Sequence, residues 1–198
     1  MASPPQTVRS ERTREALRRA AMVRFLAQGV EETSAEQIAA DAGVSLRTFY
    51  RHFTSKHDLL FADYDAGLQW FRHALADRPA DEPLVESVQA AIFAFPYDVD
   101  AVTQIASLRA DELDPGRIVR HMRAVQSDFA HAVQDHLVRR TKDAEQQTLA
   151  ITVTARCVAA AVFAGMEVWM QTDERTLADL AELCRTALVS IEPGLPIH

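Results

Sequence analysis

The sequence predicts an all-α protein of about nine helices. Apolar residues recur at three- and four-residue spacings along most of the chain, and no convincing run alternates apolar and polar residues as a half-buried strand would. The 198 residues include only 6 Gly and 8 Pro, so long helices are interrupted rarely. We divide the chain into a disordered arm over residues 1–9, an N-terminal helical domain over 10–56 and a second helical domain over 57–198.

Three helices are predicted in the N-terminal domain. The first covers residues 10–28, where apolar residues recur at positions i, i+4 and i+8. Residues 33–36, TSAE, have the pattern of a capping box, which predicts a second helix that ends at Gly43. Ser45 can cap a third, short helix that runs to about His52.

Six further helices are predicted in the second domain. Serine and proline residues mark several of their starts, because serine caps a helix and proline suits its first turn. The predicted ranges are 55–76, 83–95, 98–112, 114–140, 143–171 and a last helix that begins at Asp173 or Thr176 and ends at 192.

The turn between the second and third helices is the most informative segment. Its sequence is Ala42-Gly43-Val44-Ser45, in which Gly43 tolerates a conformation that other residues resist and Val44 can fill the space between two helices. Two short helices joined in this way predict a helix-turn-helix. The second helix of that motif enters the major groove of DNA, where each base pair displays its own donors and acceptors.

The residue types around this turn suit DNA recognition. Arg47, in the first turn of the third helix, can form two parallel hydrogen bonds with guanine, and Leu46 can contact a thymine methyl group. Hydroxyl groups, backbone N–H groups at a helix start and a lysine ammonium can bind phosphate. We therefore predict DNA contacts from Thr33, Ser34, Leu46, Arg47, Thr48, Tyr50, His52 and Lys56.

The distribution of charge supports this prediction. The net charge of −7 argues at first against a nucleic-acid partner. However, residues 1–57 contain 9 Lys or Arg and 6 Asp or Glu, whereas residues 58–198 contain 12 and 22. A basic end on an acidic body lets one end approach phosphate, although a charged disordered arm would produce the same pattern.

Many residues between positions 14 and 60 match one family pattern at fixed spacing: Ala20-Ala21, Phe25, Gly29, Thr33, Ile38-Ala39, Ala42 to Ser45, Thr48 to Tyr50, His52-Phe53, Lys56 and Leu59-Leu60. On these residues the segment resembles the TetR family of transcriptional regulators. The resemblance implies a homodimer with a divergent C-terminal ligand-binding domain, and it places Thr33, Leu46, Arg47, Thr48, Tyr50, His52 and Lys56 at DNA-facing positions. Arg47 departs from the small residue, often Gly, that many members carry there, which affects base readout and not the fold.

The resemblance also implies a ligand pocket enclosed by helices of the second domain, and pairing of the last two helices with their copies. Small residues in the eighth predicted helix would allow such pairing or a tight internal crossing. Most aromatic and Met residues here fit an ordinary core, and the mixture suggests a hydrophobic or aromatic effector. The candidate ligand contacts are Trp70, Phe93, Gln104, Met122, Gln126, Phe129, Phe163 and Glu167. Whether the effector induces or corepresses is left open.

Other classes of protein find less support. The sequence has no G-x-S-x-G, H-E-x-x-H, phosphate-loop or paired-Cys motif, so we expect no catalytic residues, no metal and no cofactor. The polar N-terminus and the lack of eighteen consecutive apolar residues predict a cytoplasmic protein without a membrane span. Cys157 and Cys184 are expected in the core. The main alternative is a helix-turn-helix protein that acts through a protein partner rather than DNA.

Overall fold

The structure, a computed structural model, describes residues 5–94, 99–172 and 176–195. These residues form nine α-helices, two short 3₁₀ helices and no strand, which confirms the predicted fold class. The α-helices are α1 Pro5–Gln28, α2 Ala35–Asp41, α3 Leu46–His52, α4 Ala62–Ala76, α5 Leu84–Phe93, α6 Val99–Glu112, α7 Pro115–Arg140, α8 Thr148–Met170 and α9 Leu177–Ile191; the 3₁₀ helices are Lys56–Phe61 and Glu192–Gly194.

Helix limits differ from the sequence prediction at three places. Helix α1 begins at Pro5, so residues 5–9 of the predicted disordered arm are helical; proline is tolerated in a first helical turn. The fourth predicted helix begins as the 3₁₀ helix before α4. Helix α8 begins at Thr148 rather than at 143, because the preceding residues form turns. The predicted limits at 1–4, 95–98 and 173 lie outside the described residues.

The chain divides into two compact units, and the division differs from the sequence-based domains. The first unit comprises Met1–Asp63 together with Thr103–Ile118, and the second comprises Tyr64–Val102 together with Val119–His198. Most of α6 and the first turn of α7 therefore belong with the N-terminal helices. The sequence division at residue 56 had assigned them to the C-terminal domain.

The first unit is built around α1, α2 and α3, which cover a small apolar core. Leu17 and Phe25 of α1, Ile38 of α2 and Phe49 of α3 are almost wholly buried. Each fully buried aliphatic or aromatic side chain contributes about 1.5–3 kcal/mol relative to exposure. The packing of three short helices thus fixes the surface that α3 presents outward.

The second unit has its own core, formed mainly by α5, α7, α8 and α9. Val133 and Leu137 of α7, Val158 of α8 and Leu188 of α9 are fully buried there. Helices α8 and α9 approach closely at Gly165, where an added Cβ atom would lie 3.1 Å from the backbone nitrogen of Cys184.

Helix α8 carries two different faces. Its apolar length and composition would suffice to cross a membrane, a test that the core helix of a globular protein also meets. Arg156 and Glu167 interrupt the helix, so it contains no run of eighteen consecutive apolar residues, in agreement with the sequence prediction. Cys157 is exposed on its outer face, which contradicts the expected core position, whereas Cys184 of α9 is buried as expected.

Candidate nucleic-acid interface

Helix α2 is capped one residue later than the sequence pattern suggests. Ser34, not Thr33, is the N-cap: its Oγ accepts a hydrogen bond from Gln37 N at 3.2 Å. Gln37 Oε1 in turn accepts one from Ser34 N at 2.9 Å. Such reciprocal bonds satisfy backbone donors that a helix start leaves unpaired. They fix where the helix-turn-helix begins.

The predicted tight turn is present between α2 and α3. Gly43 has a φ of +67°, a conformation that side chains with a Cβ atom rarely adopt. Val44 N donates to Ala39 O at 2.9 Å, which closes the chain back on α2. Ser45 then caps α3, because its Oγ accepts from Thr48 N at 3.2 Å. The backbone bond to α2 and the Ser45 cap together fix the direction in which α3 leaves the turn.

The outer face of α3 is polar and basic. Phe49 points inward and is fully buried, while Tyr50 on the outside is 54% exposed. Arg47 and Arg51 are also exposed. Leu46 is half-buried, as is Thr48, whose hydroxyl lies 2.9 Å from Ser45 Oγ. The structure thus places five of the eight predicted residues on α3, and four of them, all but His52, keep their side chains available at its surface.

Thr33 is a correction. Its side chain is 1% exposed, and its hydroxyl donates to Gly29 O at 2.8 Å. The hydroxyl therefore stabilises the loop after α1 and is not available to donate to a phosphate, in contrast to the predicted DNA contact of Thr33. The position of Thr33 before α2 suggested a phosphate contact. The carbonyl of Gly29, at the end of α1, is nearer and accepts the hydrogen bond.

Lys56 is held by the same loop. Its Nζ donates to Val30 O at 2.8 Å and to Glu31 O at 3.0 Å, and it lies 3.7 Å from the Glu31 carboxylate. The hydrogen bond from the His57 ring and the positive charge of Lys56 lower the pKa of Glu31. The ammonium thus links the start of the 3₁₀ helix to the loop before α2. Its phosphate contact stays a prediction.

His52 is turned partly inward. Its Nε2 atom is buried and has no hydrogen-bond partner within the described part of the chain. Burial lowers the pKa of His52, and the positive charges of Arg51 and Arg14 lower it further, so the neutral ring is favoured. In this conformation Nε2 cannot make the predicted phosphate contact.

An open concavity of about 470 Å³ separates the start of α2 from the end of α3. Ser34 and Tyr50 line it from the two helices, together with Lys56. The exposed carboxylates of Glu31 and Glu36 also line it, so the electrostatic attraction for phosphate is weaker here than on the outer face of α3.

Three basic residues outside the predicted DNA contacts have clear places in the first unit. Arg51 lies one helical turn after Arg47, a spacing that could have identified it. The Arg14 guanidinium lies 5.1 Å from the ring centre of Phe53, the C-cap of α3. Arg109 of α6 donates from Nε to Leu60 O at 2.7 Å and pairs with both carboxylate oxygens of Asp63 at 2.8 and 2.9 Å. No local pattern indicates this last contact.

The candidate ligand residues of the second unit are only partly brought together. Phe129 stacks on Phe71 with ring centres 3.9 Å apart, and its ring lies edge-on to Phe163 at 5.8 Å. Phe93, Met122 and Gln126 are half-buried, whereas Trp70 and Glu167 are exposed. Gln104 is exposed on α6 and belongs to the first unit, which contradicts its place in a pocket with the others.

A short, exposed, basic helix presented by a capped tight turn defines a helix-turn-helix DNA-binding regulator. Residues 17–62 match the sequence model of the bacterial regulatory proteins of the tetR family, and residues 82–196 match that of the MftR C-terminal domain. The chain belongs to the TetR family of transcriptional regulators.

Individual relatives agree with this assignment. Over 120 residues the chain is 37% identical to the HTH-type transcriptional regulator TcmR of Streptomyces glaucescens. That match covers 57% of the chain and 53% of TcmR, so it spans about half the length of this relative.

Two solved structures share the fold at low sequence identity. A TetR-family regulator from Mesorhizobium loti is 20% identical with a TM-score of 0.54, and the match covers 94% of this chain and 98% of that one. The FadR repressor of Thermus thermophilus, solved with lauroyl-CoA, is 22% identical with a TM-score of 0.56, covering 93% and 96%.

Proposed function

We propose that this regulator is a cytoplasmic repressor that binds a near-palindromic operator as a homodimer and responds to a small apolar effector. The observation that carries the proposal is the outer face of α3. Arg47 and Tyr50 are exposed there, whereas Phe49 is fully buried, and the major groove admits such a helix.

The proposed DNA contacts divide into two kinds. Arg47 and Leu46 in the first turn of α3 meet base edges, where an arginine can pair with guanine O6 and N7. Tyr50 and Thr48 donate to phosphates on either side of the groove, and Ser34 lies at the start of α2 near the same backbone. Phosphate contacts set the register and base contacts select the sequence.

A homodimer is supported by the outer face of α8. Leu149 is 78% exposed, Val153 41% and Val168 49%, and all three lie on one side of the helix. Between them the exposed residues Ala160 and Ala164 are small enough for another helix to approach closely. The exposed Arg156 and Glu167 lie on the same side of α8 and could pair across a two-fold axis. Association of α8 with its copy would bury this face, and a two-fold symmetric protein calls for a near-palindromic site.

An apolar effector is supported by the aromatic cluster of the second unit. Phe71, Phe129 and Phe163 pack together, and ligand pockets are typically apolar with a few polar groups. An effector can favour a conformation in which the two α3 helices of the dimer are wrongly spaced for the DNA grooves. By linkage, the effector then weakens DNA binding by the same factor by which DNA weakens effector binding. A corepressor would use the same linkage with the opposite sign.

Selection of bound duplexes from a random double-stranded pool tests the proposal. We expect one enriched, near-palindromic sequence whose affinity falls steeply as salt rises, since phosphate binding releases counterions. Equal affinity for the selected duplex and a scrambled one would contradict sequence-specific repression. If no DNA binds and a cellular protein is retained instead, the helix-turn-helix acts through a protein partner.

The effector is tested on the selected duplex. Lauroyl-CoA, the ligand in the T. thermophilus FadR structure, serves as a first probe because its lauroyl chain is apolar, and free coenzyme A is the control for its charged part. Release of the duplex by lauroyl-CoA alone indicates an inducer recognised by an apolar chain, and tighter binding indicates a corepressor. A thermal midpoint that no apolar probe raises would contradict an apolar effector.

A further inference from the structure

We propose that Arg51 reads a second base pair beside the one read by Arg47. Each operator half-site then contains two G·C pairs, one or two base pairs apart. This inference rests on the proposed DNA-binding function and adds to it a residue and a sequence requirement.

The position of the two arginines on α3 is the first observation. Phe49 is fully buried and marks the inward direction of the helix. Arg47 and Arg51 each lie two residues from Phe49, about 200° around a helix of 3.6 residues per turn. Both side chains are exposed and together form the outermost edge of α3.

The spacing of the two arginines suits neighbouring base pairs. Four residues advance an α-helix by about 6 Å, and successive base pairs of a duplex are about 3.4 Å apart. A helix that follows the groove therefore brings the two guanidinium groups to base pairs one or two steps apart.

The guanidinium groups of Arg47 and Arg51 are also available for contacts with bases. Helix α3 has no acidic residue, and the structure records no ion pair for Arg47 or Arg51 among the residues it describes. The carboxylate of Asp41, at the end of α2, is occupied by Arg24 through contacts of 2.5 and 3.0 Å. Two free arginines at the edge of a groove-entering helix can each form the bidentate pair with guanine O6 and N7.

The alternative for Arg51 is a phosphate contact, and removal of the guanidinium group distinguishes the two roles. Loss of a base contact relaxes preference at one base pair, whereas loss of a phosphate contact weakens binding to all sequences alike. The informative variants of the full-length protein are therefore Arg51→Ala and Arg47→Ala. Arg19→Ala, an exposed arginine of α1, is the matched control.

Wild-type protein is first used to select sites from a random duplex pool, and each variant is then titrated with the selected duplex and its single-base-pair changes. We expect two G·C pairs per half-site in the wild-type sequence. Arg51→Ala should lose preference at one of them, by roughly 5- to 150-fold, and Arg47→Ala should lose preference at the other. Arg19→Ala should retain both.

Three outcomes would overturn the inference. A selected half-site with fewer than two G·C pairs leaves no second guanine to read. If Arg51→Ala keeps the wild-type preference at every base pair, Arg51 does not read a base. Weaker binding of Arg51→Ala to all sequences alike, with a salt slope shallower by about one unit, makes Arg51 a phosphate contact. If the wild-type protein enriches no sequence, the proposed function fails as well.

Discussion

At the scale of single residues, a variant of Lys56 can distinguish a structural role of this side chain from a DNA-binding role. Its ammonium donates to Val30 O and Glu31 O, and hydrogen bonds from charged groups contribute about 1.5–3 kcal/mol. We expect Lys56→Met to lower the free energy of unfolding by about that amount, measured by urea denaturation. Lys142→Met, at an exposed lysine, is the control and should change it by less than about 0.5 kcal/mol.

The same variant tests the predicted phosphate contact. If Lys56 serves only the loop, the salt slope of DNA binding in Lys56→Met should equal that of the wild type. A slope shallower by about one unit, at unchanged stability, would instead show that the ammonium reaches a phosphate.

His136, buried in the second unit, predicts how stability depends on pH. Burial lowers its pKa, and the charges of Arg140 and Arg139 lower it further, while a hydrogen bond to the Leu75 backbone and the charge of Glu82 raise it. The unfolded chain, with an ordinary histidine pKa near 6.5, binds the proton more readily. Stability is therefore full above about pH 6.5 and falls as the pH drops toward the lower folded pKa.

This pH dependence is checked by urea denaturation between pH 7.5 and 5. We expect the slope of unfolding free energy against pH to decrease in His136→Gln, since glutamine can hydrogen-bond but does not titrate. The exposed His131 gives the control His131→Gln, which should retain the wild-type slope. An unchanged slope in His136→Gln would contradict the assignment.

At the scale of elements, the local sequence predicts most of the helix-turn-helix. Ser45, Gly43 and the buried Phe49 act through caps, backbone conformation and periodicity, which nearby residues determine. The sequence predicts the roles of Thr33 and Lys56 less well. Their partners are backbone carbonyls at the end of α1 and in the following loop, and only the packed structure brings these within reach.

The crossing of α8 and α9 predicts a cost for one added methyl group. In Gly165→Ala the new Cβ atom would lie 3.1 Å from Cys184 N and 3.2 Å from its Cα, which are backbone atoms that cannot move alone. We expect a loss of about 1–3 kcal/mol in unfolding free energy, despite the better helix propensity of alanine. Gly194→Ala, where nothing lies within 4 Å, should cost little; equal effects of both variants would contradict the close approach.

The outer face of α8 predicts a variant that dissociates the proposed dimer. Ala160 is exposed, so Ala160→Glu should not disturb the core but would place a large side chain where two helices must approach closely. We expect sedimentation to show a monomer for this variant and a dimer for Ala124→Glu, at an exposed site on α7.

Cysteine reactivity gives a second measurement of the same interface. Burial raises the pKa of the Cys184 thiol to about 11, so Cys157, which is exposed on α8, should be the thiol that a maleimide modifies. It should react faster in Ala160→Glu than in the wild type. Equal rates, together with a dimer in both proteins, would place the interface elsewhere.

At the scale of the whole molecule, the sequence does not predict how the chain is divided. Caps and prolines locate α6 and α7 but carry no information about the unit to which they belong. Arg109 lies 46 residues from its partner Asp63, and an arginine in a helix is ordinarily taken as exposed. Its side chain is 3% exposed, and its contacts join α6 to the first unit.

The buried pair of Arg109 and Asp63 leads to a prediction: a variant without it should unfold its first unit at a lower urea concentration than its second unit. Arg109→Met leaves the Asp63 carboxylate, which is 14% exposed, without its partner, and such a change costs about 3–5 kcal/mol. Both tryptophans, Trp70 and Trp169, lie in the second unit, so their fluorescence reports that unit while far-UV circular dichroism reports all helices. We expect the circular-dichroism transition of Arg109→Met to begin at lower urea than the fluorescence transition.

The double variant Arg109→Met with Asp63→Leu should recover much of the lost stability, because no unpaired buried charge remains. If the double variant is as unstable as the single one, Arg109 instead acts through its packing on Phe61 and its hydrogen bond to Leu60 O.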